Sequence, residues 1–248
     1  MKKSLKMMSI AVFSLIIFTN GAWADPFEDF KADLIARAGA QLKPFAKDLG
    51  GLIGGADFSS GRTLSFPGFE VGLNTVIQFK PDSDNLLLKD ADVDAFGLPT
   101  VQVSAAIPTI GVDACVRGLS VSGLSIVGGG LKYGVYKSGI AKFIPDVSVS
   151  AFYDTVKYDY FKGNHYSFDV AASFDIPVIK PYIGFGYDKT KLETKNIGSG
   201  LDGIEAKASG TRMSIGAKVT PFPFTYLYGA YSMLHGNTGA QMGLGIKF

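Results

Sequence analysis

The sequence lacks the residues on which several classes of protein depend. Cys115 is the single cysteine, so no internal disulfide forms, and one cysteine with two histidines offers no Cys/His metal cluster. After the N-terminal segment, no apolar run reaches the roughly eighteen residues that a transmembrane helix needs. The 24 basic and 22 acidic residues nearly balance, which gives no reason to expect a nucleic-acid partner.

Residues 1–24 carry the features of a secretory signal peptide. Three lysines precede an apolar run between residues 7 and 18, and Ala22-Trp23-Ala24 is a small-residue cleavage motif. The run is too short to span a bilayer as a helix. We therefore expect export and cleavage before Asp25. The removed segment contains three lysines and no acids, so 21 basic and 22 acidic residues remain, a net charge of −1.

Residues 25–60 have the period of a helix. Their apolar residues recur at steps of three and four, which traces one stripe of an amphipathic helix: Phe27, Phe30, Leu34, Ala38, Leu42, Phe45, Leu49 and Leu52. Pro44 is expected to bend or split this helix, and the Gly50-Gly51 pair to end it. Three placements of this helix remain open: as a plug inside the barrel, against the periplasmic rim, or packed on a neighbouring element without a special role. We favour the rim, because a helix about 10 Å wide with an apolar stripe fits poorly in a narrow, charged lumen.

From residue 61 to residue 248 the period is two, as in strands with one apolar face. The clearest strand sets Tyr166, Phe168 and Val170 against Ser167 and Asp169. We count about ten strands, within a range of roughly 8–12, of the length that crosses a bilayer at a tilt. The Gly128–Gly130 run suggests a bulge.

The connections also favour a membrane barrel. Short proline-bearing segments at 107–110, 144–146, 176–181 and 221–224 alternate with connections of which three are longer and polar. Short periplasmic turns alternating with longer outer loops is the barrel pattern, which a soluble β-sandwich does not keep. The sequence therefore predicts an all-β, antiparallel up-and-down transmembrane β-barrel preceded by an amphipathic helix.

The last strand ends in a recognisable pattern. Gln241, Gly243, Ile246 and Phe248 follow the order polar, glycine, hydrophobic, terminal aromatic. This resembles the C-terminal signal of bacterial outer-membrane β-barrel proteins. The resemblance implies recognition by the barrel-assembly machinery, with periplasmic chaperones and outer-membrane lipid as further partners. We expect this strand to close the barrel in the cell outer membrane.

A wider resemblance covers most of the chain after the signal peptide. It rests on loosely spaced apolar, Gly and Pro positions in segments 42–45, 48–50, 54–58, 66–69, 80–82, 98–99 and 116–117. Together these segments resemble a bacterial family of predicted outer-membrane barrels of unknown function. That resemblance implies a helix followed by a barrel. No catalytic or ligand-binding residues are defined for the family, so none are carried over.

The inward face of the predicted barrel carries charges of both signs: Glu70, Asp113, Arg117, Lys132, Asp154, Asp169, Asp175, Asp188, Arg212, Lys218 and Lys247. One interpretation is a plugged lumen in which these charges satisfy one another. The others are a narrow polar conduit and a ligand cavity. The acidic loop at 82–94 has a D-x-D-x-D run but lacks the glycine and glutamate of a calcium loop, so we expect a solvated loop without metal.

The function that these patterns favour is passage or binding of a small solute or apolar molecule, with the ligand unknown and no cofactor. A structural barrel without a transport role is the alternative. A lipid-modifying enzyme comes third, since His165 and His235 fall at the predicted outer ends of strands and Ser167 shares a face with His165. No recognisable catalytic motif accompanies them, so we expect no catalytic residues.

Overall fold

Ten antiparallel strands form a closed barrel in which each strand pairs with its neighbours in sequence and β1 pairs with β10. The computed structural model describes residues 26–248 except 38, 92, 109–110, 139–143 and 199, with the side chains of 26–30 left aside. The predicted signal peptide lies outside these residues. The strands are β1 Phe69–Gln78, β2 Phe96–Ile107, β3 Val112–Val121, β4 Leu124–Tyr136, β5 Asp146–Lys157, β6 Phe161–Ser173, β7 Ile179–Thr194, β8 Glu205–Val219, β9 Thr225–Leu234 and β10 Asn237–Lys247. The predicted fold class is confirmed.

The barrel has two ends, which we name by the chain. At the terminal mouth, β1 begins at Phe69 and the chain ends at Phe248, where the two residues exchange backbone hydrogen bonds of 3.0 and 2.9 Å. At the far mouth, β1 ends at Gln78. Alternation places apolar side chains outward, where they are exposed, as Val116 is by 63%. The inward side chains are mostly small or polar, except near the far mouth, where many are apolar. No described helix is long and apolar enough to cross a membrane.

The connections differ in detail from the sequence prediction. At the terminal mouth, the connection between β4 and β5 covers 137–145 rather than a tight turn at Pro145. Pro181 lies within β7 instead of the preceding turn. The Gly128–Gly130 run keeps a regular register, and the irregularity falls at Gly134/Tyr136. The predicted bulge at the glycine run is therefore wrong.

The N-terminal segment contains two helices. Helix α1 spans Pro26–Ala36 and helix α2 spans Leu42–Gly54, while a third short helix, α3, spans Leu86–Asp90 in the loop after β1. The break precedes Pro44, which lies in the first turn of α2, where its missing N–H has no intrahelical role. The Gly50-Gly51 pair lies inside α2 rather than ending it.

The expected placement at the periplasmic rim is also wrong, because α2 lies inside the barrel. Phe45 packs edge-on against Phe161 near the far mouth, with ring centroids 5.4 Å apart. Residues 55–64 continue through the lumen, and at the terminal mouth the Leu64 amide donates to Asp113 at 2.9 Å. We call residues 42–64 the lumen segment. It runs from the far mouth to the terminal mouth, and β1 returns along the wall.

Two features allow α2 to fit in a lumen that was expected to be too narrow and too charged for it. The lumen is not charged throughout: near the far mouth its inward side chains are apolar and bury the stripe of α2, among them Val76, Leu119, Ile126, Val156 and Leu192. The glycines of α2 then allow close approach. A Cβ at Gly50 would collide with Thr190, one at Gly51 would lie 3.2 Å from Leu234 Cβ, and one at Gly54 would meet Arg212.

Helix α2 is tied to the loop after β1 by one buried carboxylate. Asp48 accepts hydrogen bonds from the side-chain amides of Gln78 and Asn85, each at 2.7 Å, and from the Asp82 backbone N–H at 3.0 Å. Asp82 in turn accepts from the Lys47 ammonium at 2.5 Å. Burial alone would raise the pKa of Asp82, but the hydrogen bonds from Lys47 and the Asp84 amide, with the Lys47 charge, lower it. The acidic loop is thus partly paired with the lumen segment rather than fully solvated.

We predict that Asp48→Ala loosens this loop. The change leaves two buried amides and a backbone N–H without their acceptor, each at a cost of roughly 1–3 kcal/mol. Hydrogen exchange in residues 79–95 should accelerate, and the thermal midpoint of the detergent-solubilised barrel should fall. Asp94→Ala, an exposed acid in the same loop, is the matched control and should change neither. Equal behaviour of the two variants would contradict the anchoring role of Asp48.

Candidate functional site in the barrel lumen

The middle of the lumen is crossed by a buried ion-pair network centred on Asp57. This residue follows α2 in the lumen segment, and each of its carboxylate oxygens accepts from a different arginine of the wall. Arg117 Nη1 of β3 lies 2.5 Å from Oδ1, and Arg212 Nη2 of β8 lies 2.8 Å from Oδ2. Strand alternation makes both arginines point inward, so a segment threaded between them meets two guanidinium groups at once.

Each arginine also binds carboxylates of the wall. Arg117 makes a two-pronged contact with Asp154, at 2.8 and 2.7 Å. Arg212 contacts Asp188 at 2.5 and 2.9 Å and Asp169 at 2.7 Å. All of these side chains are buried. Such fork-shaped pairs are strong and directional, which is why arginine rather than lysine suits these two positions.

Wall glycines make room for the network. A Cβ at Gly128 of β4 would overlap the carboxylate of Asp154, and one at Gly186 of β7 would overlap that of Asp169. The glycine run of β4 therefore serves close packing around an ion pair.

Both histidines face the same network. His235 lies in the turn between β9 and β10, with Nε2 2.7 Å from Asp188 Oδ2 and Nδ1 2.8 Å from the Lys47 carbonyl. Both partners are acceptors, so both bonds form only when the ring carries two protons. His165 Nδ1 lies 2.9 Å from Thr190 Oγ1, and its Nε2 lies 3.8 Å from Asp188. His165 and Ser167 are both fully buried, which removes them from the membrane edge expected of a lipid-modifying site.

Below the network, a cavity of about 560 Å³ opens at the terminal mouth. Its far end is the Asp57–Phe58 part of the lumen segment, and its rim includes the turn at 220–225 and Phe248. Five cationic side chains line it against three acidic ones: Arg62, Lys132, Lys180, Lys218 and Lys247 against Asp57, Glu70 and Asp113. Asp57 is turned to the two arginines, so five cations face two acids in the lining. Asp146 and Asp175, which pair with Arg62 and Lys180 outside the lining, offset part of this charge and leave a small positive excess.

The cations of the cavity are held by different contacts. Lys218 donates to both oxygens of Glu70, at 3.1 and 3.0 Å, and lies 3.7 Å from the ring centroid of Tyr226. Lys132 donates to the carbonyls of Ser60 and Arg62 at 2.6 and 2.9 Å, which fixes the lumen segment where it leaves the barrel. Lys247 is exposed at the mouth and makes no ion pair with another described residue. It is therefore available to a ligand.

The charged residues expected on the inner face fall into two groups. Arg117, Asp154, Asp169, Asp188 and Arg212 meet in the central network, whereas Glu70, Asp113, Lys132, Lys218 and Lys247 lie around the cavity. Asp175 differs: it lies in the turn after β6, where it pairs with Arg62 and, at 2.6 Å, with Lys180.

The C-terminal pattern that resembles an assembly signal lies on β10 and at its end. Gln241 of this pattern points inward and donates to Ser214 at 2.8 Å, while Ile246 and Phe248 lie on the outer surface.

Sequence reasoning missed Asp57, which belongs to no strand and to no face of a helix. Its signal was local: an acid in the Gly-Gly-Ala-Asp-Phe motif, between a helix and the first strand. Arg62 and Phe58 were missed for the same reason. Phe58 packs edge-on against Tyr182 with centroids 6.5 Å apart, and Gly184 provides the space for its ring.

We predict that Arg212→Met destabilises the folded barrel severely. Three buried carboxylates lose a charged partner, and breaking a buried pair costs about 3–5 kcal/mol. Arg117→Met should also destabilise the barrel but cost less, because two buried carboxylates rather than three, Asp57 and Asp154, lose a charged partner. The temperature at which the compact, heat-modifiable band is lost on a gel measures the effect. Arg37→Met, an arginine at the far mouth paired with exposed Asp90, is the control and should leave that temperature unchanged. An Arg212→Met barrel as stable as the control would contradict the network's role.

Solved structures with a similar barrel come from several bacteria. The N-terminal β-barrel domain of Pseudomonas aeruginosa OprF is 15% identical, with a TM-score of 0.37, over 73% of this chain and 98% of that one. The translocator domain of the autotransporter NalP from Neisseria meningitidis is 13% identical, with a TM-score of 0.35, over 90% and 99%. LpxR from Salmonella typhimurium is 7% identical, with a TM-score of 0.34, over 72% and 99%. At these values the likeness concerns the barrel and says nothing about function.

In sequence, no curated protein matches the chain. A family profile described as "Family of unknown function (DUF6588)" matches residues 87–248, which extend from the first loop of the barrel to its last residue. That span is more than half of the 248 residues. The resemblance to a family of unknown function is thereby confirmed, and this chain belongs to the DUF6588 family.

Proposed function

We propose that the chain is an outer-membrane β-barrel whose lumen is sealed and whose terminal-mouth cavity binds a small anion with an apolar body. The exterior supports the membrane location. Large apolar side chains are exposed around the wall, including Val127, Leu131, Phe168, Phe185, Ile215 and Leu227. So much exposed apolar surface is costly in water and is expected where a wall faces lipid.

The terminal strand supports assembly by the barrel machinery. Phe248 stacks on Phe69 and Phe224, with ring centroids 4.8 and 5.3 Å away, and remains half-exposed at the outer surface of the terminal mouth. An aromatic residue at this level suits the membrane interface. The two longest connections between strands, 79–95 and 195–204, both lie at the far mouth. Outer-membrane barrels have short periplasmic turns and longer outer loops, which favours a periplasmic terminal mouth and an outward-facing far mouth.

The filled lumen argues against free passage. Helix α2 occupies the apolar part near the far mouth, and the network around Asp57 blocks the middle. A solute crossing the barrel would have to displace both. The sequence left open two roles, passage and binding of a small molecule. Of these we favour binding.

The cavity is the observation that carries the functional proposal. Its volume of about 560 Å³ is in the range of small-molecule sites, roughly 300–1,000 Å³. The positive excess favours an anionic group, and the rings of Phe58, Phe152, Tyr226 and Tyr228 offer an apolar surface beside it. A small carboxylic or phosphoric acid with an aromatic or aliphatic body fits both requirements.

An enzymatic role is not part of this proposal. His165, Ser167 and His235 are enclosed by the wall and the lumen segment, so a lipid substrate at the barrel surface does not reach them. A structural barrel without a ligand is the competing function, and the binding experiment below separates the two.

We predict that the intact protein conducts little in a planar bilayer and that removal of the lumen segment opens it. Deleting residues 26–64 should produce a steady pore, because it removes both α2 and Asp57. Deleting residues 26–41 is the matched control: it shortens the same terminus but leaves the plug, so conductance should stay low. Heat-modifiability on gels checks that both variants fold. A folded 26–64 deletion that remains closed would contradict the sealing role.

We also predict that the purified barrel in nanodiscs binds phenyl phosphate, measured by isothermal titration. Lys247→Gln should weaken binding by roughly tenfold or more, since a hydrogen bond to a charged group contributes about 1.5–3 kcal/mol and about 1.4 kcal/mol corresponds to tenfold. Lys137→Gln removes an exposed lysine at the same mouth, outside the cavity lining, and should leave affinity unchanged. Equal binding of benzyl alcohol, or no heat with either compound, would contradict an anion site and favour the structural role.

A further inference from the structure

On the outer wall, strands β6, β7 and β8 show a layered change from apolar to basic. Their registered outward positions read Val170, Phe185 and Met213 in one row, and Phe168, Tyr187 and Thr211 in the next row toward the far mouth. The following rows are Tyr166, Lys189 and Ser209, and then Asn164, Lys191 and Lys207. The apolar wall thus gives way to lysines that begin in the row of Tyr166, one row beyond Tyr187.

A groove of about 430 Å³ lies across this transition. Three aromatic and three basic side chains line it: Tyr166, Phe168, Tyr187, Lys189, Lys191 and Lys207. The aromatic rings are between 46% and 62% exposed, so the groove is open along the wall. Its apolar half continues the lipid-facing surface, and its basic half points toward the far mouth.

The charges of the groove are mainly positive. Lys191 pairs with Glu205, and farther toward the far mouth Lys162 pairs with Glu193 at 3.1 Å. Lys189 and Lys207 make no ion pair with another described residue. Lysines grouped at the end of an apolar wall attract the anionic headgroups of lipids that pack against that wall.

We propose that this groove binds a phosphate-bearing glycolipid of the outer leaflet, with its phosphates on the lysines and its acyl chains along the aromatic rings. The inference rests on the outward-facing far mouth proposed above. Charge complementarity selects a phosphorylated headgroup, and the aromatic half selects a ligand with chains. Free phosphate would use only the basic half of the groove.

The test uses the purified full barrel in detergent and lipid A with both phosphates, with binding followed by native mass spectrometry. Replacing Lys189, Lys191 and Lys207 together by Gln should weaken binding by at least roughly tenfold, because each lysine near a membrane surface attracts anionic lipid. The matched control replaces Lys43, Lys80 and Lys89 by Gln, three exposed lysines elsewhere at the far mouth. It should bind as the unmodified protein does.

Three outcomes would overturn the proposal. One is unchanged binding by the groove variant, and another is equal binding of fully dephosphorylated lipid A, which would leave only apolar contact. The third is full displacement by millimolar inorganic phosphate, which would indicate a free-phosphate site. Titration of the groove variant with phenyl phosphate, together with its fractionation with outer membranes, reports on the proposed function separately. Normal results there with failed lipid binding would reject the groove alone.

Discussion

The carboxylate of Asp57 between Arg117 and Arg212 joins the lumen segment to opposite parts of the wall. Without it, residues 42–64 would be held in the middle of the barrel only by packing and by contacts near the two mouths. The same bond divides the interior into an apolar part filled by α2 and a cavity open at the terminal mouth. The filled middle of the lumen and the boundary of the cavity therefore both depend on this contact, in which two buried arginines of the wall bind one carboxylate of the lumen segment.

Small residues make this arrangement possible on both sides of the contact. On the lumen segment, Gly50, Gly51 and Gly54 face the wall, and on the wall, Gly128 and Gly186 face the carboxylates. A ten-stranded barrel is only slightly wider than one that its own side chains fill. The inserted helix fits because glycines on both the lumen segment and the wall leave space for neighbouring side chains.

Alternation along the strands was enough to predict the barrel and the inward direction of its charged strand residues, because the period of two can be read within each strand. It failed for Asp175, which lies in the turn after β6. The placement of the helix was not predictable in this way. The helix lies in the lumen because one end of the lumen is apolar, lined by Val76, Ile126 and Leu192. These residues come from β1, β4 and β7, and only the register of the closed barrel brings them to the same end. The glycine pair of α2 looked like a helix end because its packing partner, Thr190, lies far away in sequence. Asp57 belonged to no repeating pattern, so no period could mark it.

The N-terminal end of the lumen segment lies at the far mouth, whereas the C-terminal residue Phe248 lies at the terminal mouth. Tension on the two ends would therefore act on different bonds. Drawing α1 away from the far mouth would pull the segment lengthwise, separating α2 from the wall and Asp57 from its arginines while the strands stay paired. Tension on Phe248 would instead peel β10 from β1 and β9 and open the wall itself. The two ends of one continuous chain thus load different parts of the structure, the lumen segment in one case and the wall in the other.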